Sequence, residues 1–414
     1  MTDGHIITGT NCVRPKNMNA RREGAYMNTI NRRAIDVPFE DLLDELKKAN
    51  RLKAETLRRR DAEFGADRPK IGSYMENIAL PDLYGFDMND YYRDARLAMD
   101  VDLRNKLFWL DNSEDDGMAS FDVSAGSMYY DMTLFGLKIN YTKDGVPVFE
   151  RHELADNPGL FRNKSLPAPF DFHTTGEMPI VHKRYADMTA ISNDVFGGEI
   201  KVHFPRFNRG PLDIYIQLRG YDGFVADCAE NSDYVRDLMD YIVAERLRFN
   251  KTRAKFLGVD LHASISVDDD WINIPFISPA IFDEFIKPAY AKIQENEGPV
   301  PRFHTCGDLV GIAAGLFSVF DKMSGFDVSG WNDMIKLDRI VDPGVRFDIS
   351  FINTFVLTGS EAEHLEKLKI AKKIAERRRV SLNAQAIVKI NGTIDDSLLA
   401  MNRFIDLART VMSG

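Results

Sequence analysis

Three cysteines in 414 residues are too few for a disulfide framework. Cys12, Cys228 and Cys306 form no CxxC pair and no regular spacing, which fits a reducing compartment. Positive charge is also scarce. Lys and Arg number 53 against 63 acidic residues, a net charge of −10, which argues against nucleic acid as the main partner because phosphate binding needs a basic face. The two short basic runs, Arg58-Arg59-Arg60 and Arg377-Arg378-Arg379, lie in helix-like segments that also carry acids, and read as solvated helix faces. No apolar run approaches ~18 residues, so no membrane span is expected. The polar start, Met1-Thr2-Asp3-Gly4-His5, lacks a signal-peptide core, and the expected location is the cytoplasm. Internal repeats and low-complexity linkers are missing too.

What is present is an ordinary globular composition, 44% hydrophobic, and enough chain for one large domain or two smaller ones. Residues 1–70 read as an N-terminal extension. An irregular lead-in there runs to about residue 36, followed by a long helix with Phe39, Leu42, Leu43 and Leu46 on one stripe. Residues 71–175 are mixed, with strand-like alternation near Leu137–Tyr141, and read as an inserted or flanking region that sets substrate choice. Residues 176–414 are more regular.

In that last part, strand-like segments alternate with helix-like ones. Glu199–Phe204 alternates like a strand. Leu212–Leu218 after Gly210-Pro211 fits either a strand or a short helix. Ser232 is a candidate cap for the next helix. Further strands are expected at Ala263–Val267, Pro301–Cys306, Phe326–Val328, Val345–Ile349 and Val380–Asn383. Helices are expected after Ser278-Pro279, after the capping box Ser360–Glu363, and around Leu398–Ala408. Such alternation implies parallel βα units, and their number predicts an α/β fold, a (β/α)8 TIM barrel with an N-terminal extension and an inserted subdomain. Polar residues cluster at the strand ends: Asp268–Asp270, His304–Asp308, Asp327, Asp348, Asn353 and Gln385. In a barrel those ends meet on one face, where catalysis occurs.

The sharpest chemical signal is His304-Thr305-Cys306-Gly307-Asp308. An imidazole and a thiol two positions apart in an extended segment point the same way. Both reach one metal ion, and this pair suits zinc better than magnesium or calcium. Gly307 lets the chain turn away, and Asp308 can cap the segment that follows.

An ordered set of motifs over roughly residues 175–410 resembles the uroporphyrinogen decarboxylase superfamily. It consists of Gly210-Pro211 followed by Leu218-Arg219-Gly220, then Ile277–Pro288, then Phe303–Asp308, with the helix around Leu399-Ala400-Met401. The resemblance implies a (β/α)8 barrel. One branch of that superfamily consists of metal-free decarboxylases with an N-terminal Arg-Gln-Ala-Gly-Arg pattern, which this chain lacks. The other consists of corrinoid-dependent methyltransferases that hold zinc through an H-x-C pair and a later cysteine. His304 and Cys306 match that pair, but no cysteine follows Cys306; the corresponding position falls near Ala384-Gln385-Ala386. Either the metal is lost or another ligand set holds it, and Asp268 and Asp283 are the acidic candidates beside His304 and Cys306.

The resemblance implies an O-demethylase component. A methyl group moves between a methoxylated aromatic or methylamine-type substrate and a corrinoid carried by a partner protein. Zinc assists as a Lewis acid. Asp269, Asp308 and Asp327 are the candidate catalytic acids, with Asp308 placed to protonate the leaving group. Arg206, Arg209, Asp348, Asn353 and Gln385 are the candidate substrate contacts. The alternative is a metal-free decarboxylase of an acidic aromatic or pyrrolic substrate, with Arg206 and Arg209 holding its acids. A third reading is a corrinoid- or porphyrin-binding protein without turnover. The expected partners are the corrinoid protein and a small methyl donor, with a homodimer held open.

Overall fold

The computed structural model describes residues 30–74, 79–143, 147–262, 265–385 and 392–413. The expected lead-in up to residue 29, Ala263-Ser264 and Ala386 lie outside the described residues. Six parallel strands form the main sheet: β1 (Ile71–Tyr74), β6 (Ser266–Asp268), β7 (Arg302–His304), β8 (Gly325–Val328), β9 (Arg346–Phe351) and β10 (Val380–Gln385), in the order β1-β10-β9-β8-β7-β6. A second parallel pair joins β2 (Asp122–Ser124) to β5 (Lys201–His203), and β3 (Ile139–Asn140) pairs antiparallel with β4 (Val148–Phe149). The stretch 71–175 therefore supplies one edge of the main sheet, because β1 pairs with β10.

Helices fill the crossovers between successive strands of the main sheet, as parallel connections require. Period-two burial explains how they pack. Val267, Phe303, Phe326, Val328, Phe347, Ile349, Leu382 and Ala384 are buried and face the helices. The alternate positions are Ser266, Asp268, Arg302, His304, Asp327, Asp348, Ser381, Asn383 and Gln385, so the other face of the sheet is polar. This differs from the near-continuous apolar strands of a parallel sheet covered on both faces.

Most expected elements form where the pattern places them. The first long helix is Leu42–Phe64, and the last is Ile394–Ser413. The Ser360–Glu363 capping box is complete: Glu363 N donates to Ser360 Oγ at 3.3 Å and Ser360 N to Glu363 Oε2 at 2.7 Å. Ser278 Oγ accepts from Ile281 N at 3.2 Å. The two-way reading at 212–218 resolves as the helix Pro211–Arg219. Its residues are buried nearly all round, which erases the amphipathic signal that separates helix from strand. Ser232 is not a cap: it is the first residue of the helix Ser232–Leu257, and its hydroxyl accepts from Arg236 Nη1 at 3.1 Å. The strand expected at 301–306 stops at His304, so Cys306 stands just beyond it. No helix among the described residues is long and apolar enough to cross a membrane.

Candidate metal centre

The register of the sheet sets the site. Asp268 of β6 lies opposite His304 of β7, and Asp327 of β8 lies opposite Asp348 of β9, which lies opposite Ser381 of β10. Beyond β6, Arg209 forms a parallel bridge to Asp268. Gly210 N donates to Asp268 O at 2.7 Å, and Asp268 N to Asn208 O at 3.0 Å. Arg209, Asp268, His304, Asp327, Asp348 and Ser381 thus span adjacent strands on the polar face.

His304 and Cys306 do come together: Cys306 Sγ lies 3.6 Å from His304 Nε2. The third member is Asp270, whose Oδ1 lies 3.5 Å from the same nitrogen and accepts from Cys306 N at 3.1 Å. The three donor atoms all lie within 4.8 Å of one another. A tetrahedral zinc ion with bonds of ~2.0–2.3 Å sets its ligand atoms roughly 3.3–3.8 Å apart, so the two nitrogen-centred separations match its edges. The other imidazole nitrogen, Nδ1, is 2.8 Å from Asp327 Oδ2. That carboxylate fixes the proton on Nδ1 and aims Nε2 at Cys306 and Asp270, the outer support that a metal-binding histidine normally has. The donor set fits zinc.

Electrostatics reinforce the pairing. Burial works against charge on His304, but the hydrogen bonds to Asp327 and Cys306 and the charges of Asp327 and Asp270 prevail and push its pKa up to about 11. Burial likewise opposes charge on Asp327, yet His304 and Arg302 hold its carboxyl below the usual range. Its contact with His304 favours the Cys306 thiolate, but burial and Asp270 outweigh it and raise the thiol. Metal binding must therefore displace protons from this group.

Several expected site residues serve elsewhere. Asp283 is not a ligand of this centre: it pairs with Lys287 Nζ at 3.6 Å and is 62% exposed, as an acid in the widened helical turn Phe282–Ile286. Asp268 faces His304 in register, and burial raises its pKa, but it stands outside the three-residue cluster. Asp269, expected as a catalytic acid, is a fully buried cap in the structure. Its carboxylate accepts from Leu212 N at 3.1 Å, Asp213 N at 3.0 Å and Tyr290 Oη at 2.9 Å, closing the start of the helix Pro211–Arg219. Asp308 organises a turn: its Oδ1 accepts from Val310 N, while its own N donates to Asn273 Oδ1, both at 3.0 Å. Asp327 positions His304. Asp348 binds Arg346 through both oxygens, at 2.8 and 2.9 Å, and accepts from Ser381.

Arg206 Nη2 donates to Leu261 O at 2.6 Å. Arg209 lies between two acids, with Nε 3.3 Å from Asp131 and Nη1 2.9 Å from Asp213. Burial opposes its charge and the two acids more than compensate. Asn353 and Gln385 do face the centre, lining a cleft of about 390 Å³ with His304, Cys306, Asp327, Ser350 and Trp331. Sequence reasoning grouped Asp270 with the polar strand ends without setting it beside His304 and Cys306, and it missed Trp331. Period two exposes the first: if Asp268 is level with His304, then Asp270 is level with Cys306.

Comparisons with known proteins place this geometry in a wider setting. A methyltransferase from Methanosarcina mazei superposes with a TM-score of 0.56 over 82% of this chain and 94% of its own, at 17% identity. The two share a fold. No family model and no curated protein matches the chain.

Proposed function

We propose that the chain is a zinc-assisted methyltransferase, moving a methyl group between a methoxylated aromatic or methylamine-type substrate and a corrinoid carried by a partner protein. The observation that carries this reading is the Asp270–His304–Cys306 triangle with Asp327 behind it. The shared fold with a methyltransferase supports it. A zinc ion held there would supply Lewis acidity, stabilising negative charge on a leaving oxygen. His304 presents Nε2 while Asp327 retains the Nδ1 proton. Cys306 would hold the ion as a thiolate, its proton given up to solvent, and Asp270 would add a second negative charge. The neighbouring cleft, floored by Ser350 and walled by Trp331 and Gln385, has room for a single aromatic ring.

We also read the strands as one closed eight-stranded barrel with the centre at its C-terminal mouth. Three contacts support closure: Asp116 N donates to Ile71 O at 2.7 Å beside β1, β2 pairs with β5, and the chain after β5 bridges β6 at Arg209. The decarboxylase alternative is less favoured, because Arg209 is committed to two acids rather than poised for a substrate's.

The test is elemental analysis of the purified protein together with methyl transfer from 2-methoxyphenol to free cob(I)alamin. One zinc per chain and transfer abolished in His304→Ala are expected. No metal, and no transfer from any methoxylated aromatic or methylamine, rejects the proposal.

A further inference from the structure

Tyr129 stands apart from every other residue near the centre. Its backbone is left-handed, φ +65° and ψ +18°, a conformation that a bulky side chain rarely adopts. Among the described residues only Lys164 shares a positive φ without being glycine. The strained position is over-determined by its neighbours. Tyr130 is buried against Phe249, Asp131 grips Arg209, and Thr133 Oγ1 donates to Tyr130 O at 2.6 Å. Strain of this kind persists where the surrounding structure imposes it, and it concentrates at functional sites.

The ring is fixed on two sides. Its centroid is 5.2 Å from the Arg209 guanidinium carbon and 5.0 Å from the Phe149 ring, edge to face. Arg209 is bridged to Asp268, which is level with His304, and the charge of Asp270 acts on the Tyr129 phenol, so the ring stands on the Asp270 side of the centre. Its hydroxyl has no hydrogen-bond partner among the described residues. The side chain is half-buried, so the hydroxyl is open to a hydrogen bond with a bound molecule.

We infer that Tyr129 contacts the substrate, its hydroxyl donating a hydrogen bond to the oxygen that carries the methyl group. The inference rests on the methyl-ether reading above and adds the residue that selects for it. In the transfer, the C–O bond breaks with both electrons left on oxygen. The methyl carbon bonds to the electron pair of the reduced corrinoid acceptor. The hydrogen bond from Tyr129 strengthens as charge gathers on that oxygen, and no proton is consumed. Such a donor favours the transition state over the ether, because an oxyanion accepts more strongly than a neutral ether oxygen. Arg209 beneath the ring is a positioning residue. An amine substrate has no lone pair left to accept this bond once it is activated as an ammonium, so the contact favours ethers over methylamines.

The test uses Tyr129→Phe, which keeps ring, packing and backbone and removes only the hydroxyl. Zinc content and melting temperature are expected to match wild type. Methyl transfer from 2-methoxyphenol should fall about 100-fold in kcat/KM. Across a series of para-substituted methoxybenzenes, the loss should shrink as electron-withdrawing groups take charge off the oxygen. A loss that is uniform across the series, or no loss, overturns the assignment. Binding is measured separately by calorimetry with 2-methoxyphenol. If wild type transfers no methyl group yet binds this probe at least about fivefold more tightly than the variant, the methyltransferase reading fails and the Tyr129 contact stands. Where wild type transfers no methyl group, equal binding by the two proteins, or none by either, overturns the contact.

Discussion

Replacing Asp327 by Asn tests whether the centre is built for a metal. The Asp327 carboxylate sits 2.8 Å from His304 Nδ1 and is only 12% exposed, so its hydrogen bond is charge-assisted and poorly screened. Asn keeps the volume and one acceptor but removes the charge. Two consequences follow from the geometry. The imidazole becomes a weaker electron donor at Nε2, and its orientation toward Cys306 and Asp270 loosens. Loss of such outer support lowers metal affinity by about 10–100-fold. Arg302, whose Nη2 is 3.3 Å from the same oxygen, then loses its partner as well, which adds repulsion against a bound cation. The upper end of that range is therefore expected. A competition titration against a chromophoric zinc chelator measures it. Ser350→Ala serves as the control, since Ser350 Oγ reaches only the other Asp327 oxygen, at 3.3 Å, and its loss should change affinity by less than about threefold. Equal zinc affinity in wild type and Asp327→Asn would refute the reasoning, because His304 would then bind without the orientation proposed here.

Four further outcomes are expected. Asp270→Ala should abolish stoichiometric zinc binding, while Asp283→Ala should leave it unchanged, both read by elemental analysis; retention in the first would exclude Asp270 as a ligand. Asp269→Ala removes acceptors from two backbone amides and one buried tyrosine, and should cost about 2–4 kcal/mol in denaturant unfolding; a cost under about 1 kcal/mol would contradict its role as a cap. Gly210→Ala places a methyl group against the Asp269 carboxylate, so soluble expression should drop sharply, and a variant as stable as wild type would show that this approach relaxes freely. Finally, the metal-free protein should lose stability as pH rises. The folded His304 pKa of about 11 lies above the ordinary value of about 6.5, so its ion pair contributes fully below about pH 6.5 and is lost progressively toward pH 11. Unfolding curves for wild type and Asp327→Asn should differ most at pH 6 and converge at high pH; a constant gap would refute the linkage.

Local patterns carried most of the fold. Helix starts were legible where a cap and its amide lie within three residues, as at Ser278 and Ser360. Strands β7 to β10 were legible because their alternation separates a helix-facing row from a polar row. The helix Pro211–Arg219 was not, since burial on all sides hides its period and its cap, Asp269, lies 57 positions away from Leu212. The same distance problem hides what the charged residues hold. Nothing within a short window shows that Asp269 closes a remote helix, that Asp283 turns toward Lys287, or that Arg209 is held by Asp131 from 78 positions upstream. The His304–Cys306 pair was legible because both members are local. The place of Asp270 beside them needed the register between two strands, which only the sheet fixes.

The alternation in β7 has an evolutionary corollary. Phe303 packs outward into the core while His304 faces the chemistry, so a one-residue insertion or deletion in this strand would exchange them. A lineage cannot retune this centre by sliding the segment without dismantling the scaffold as well. Diversification is then confined to point replacements along the polar row and to changes of loop length beyond the strand ends.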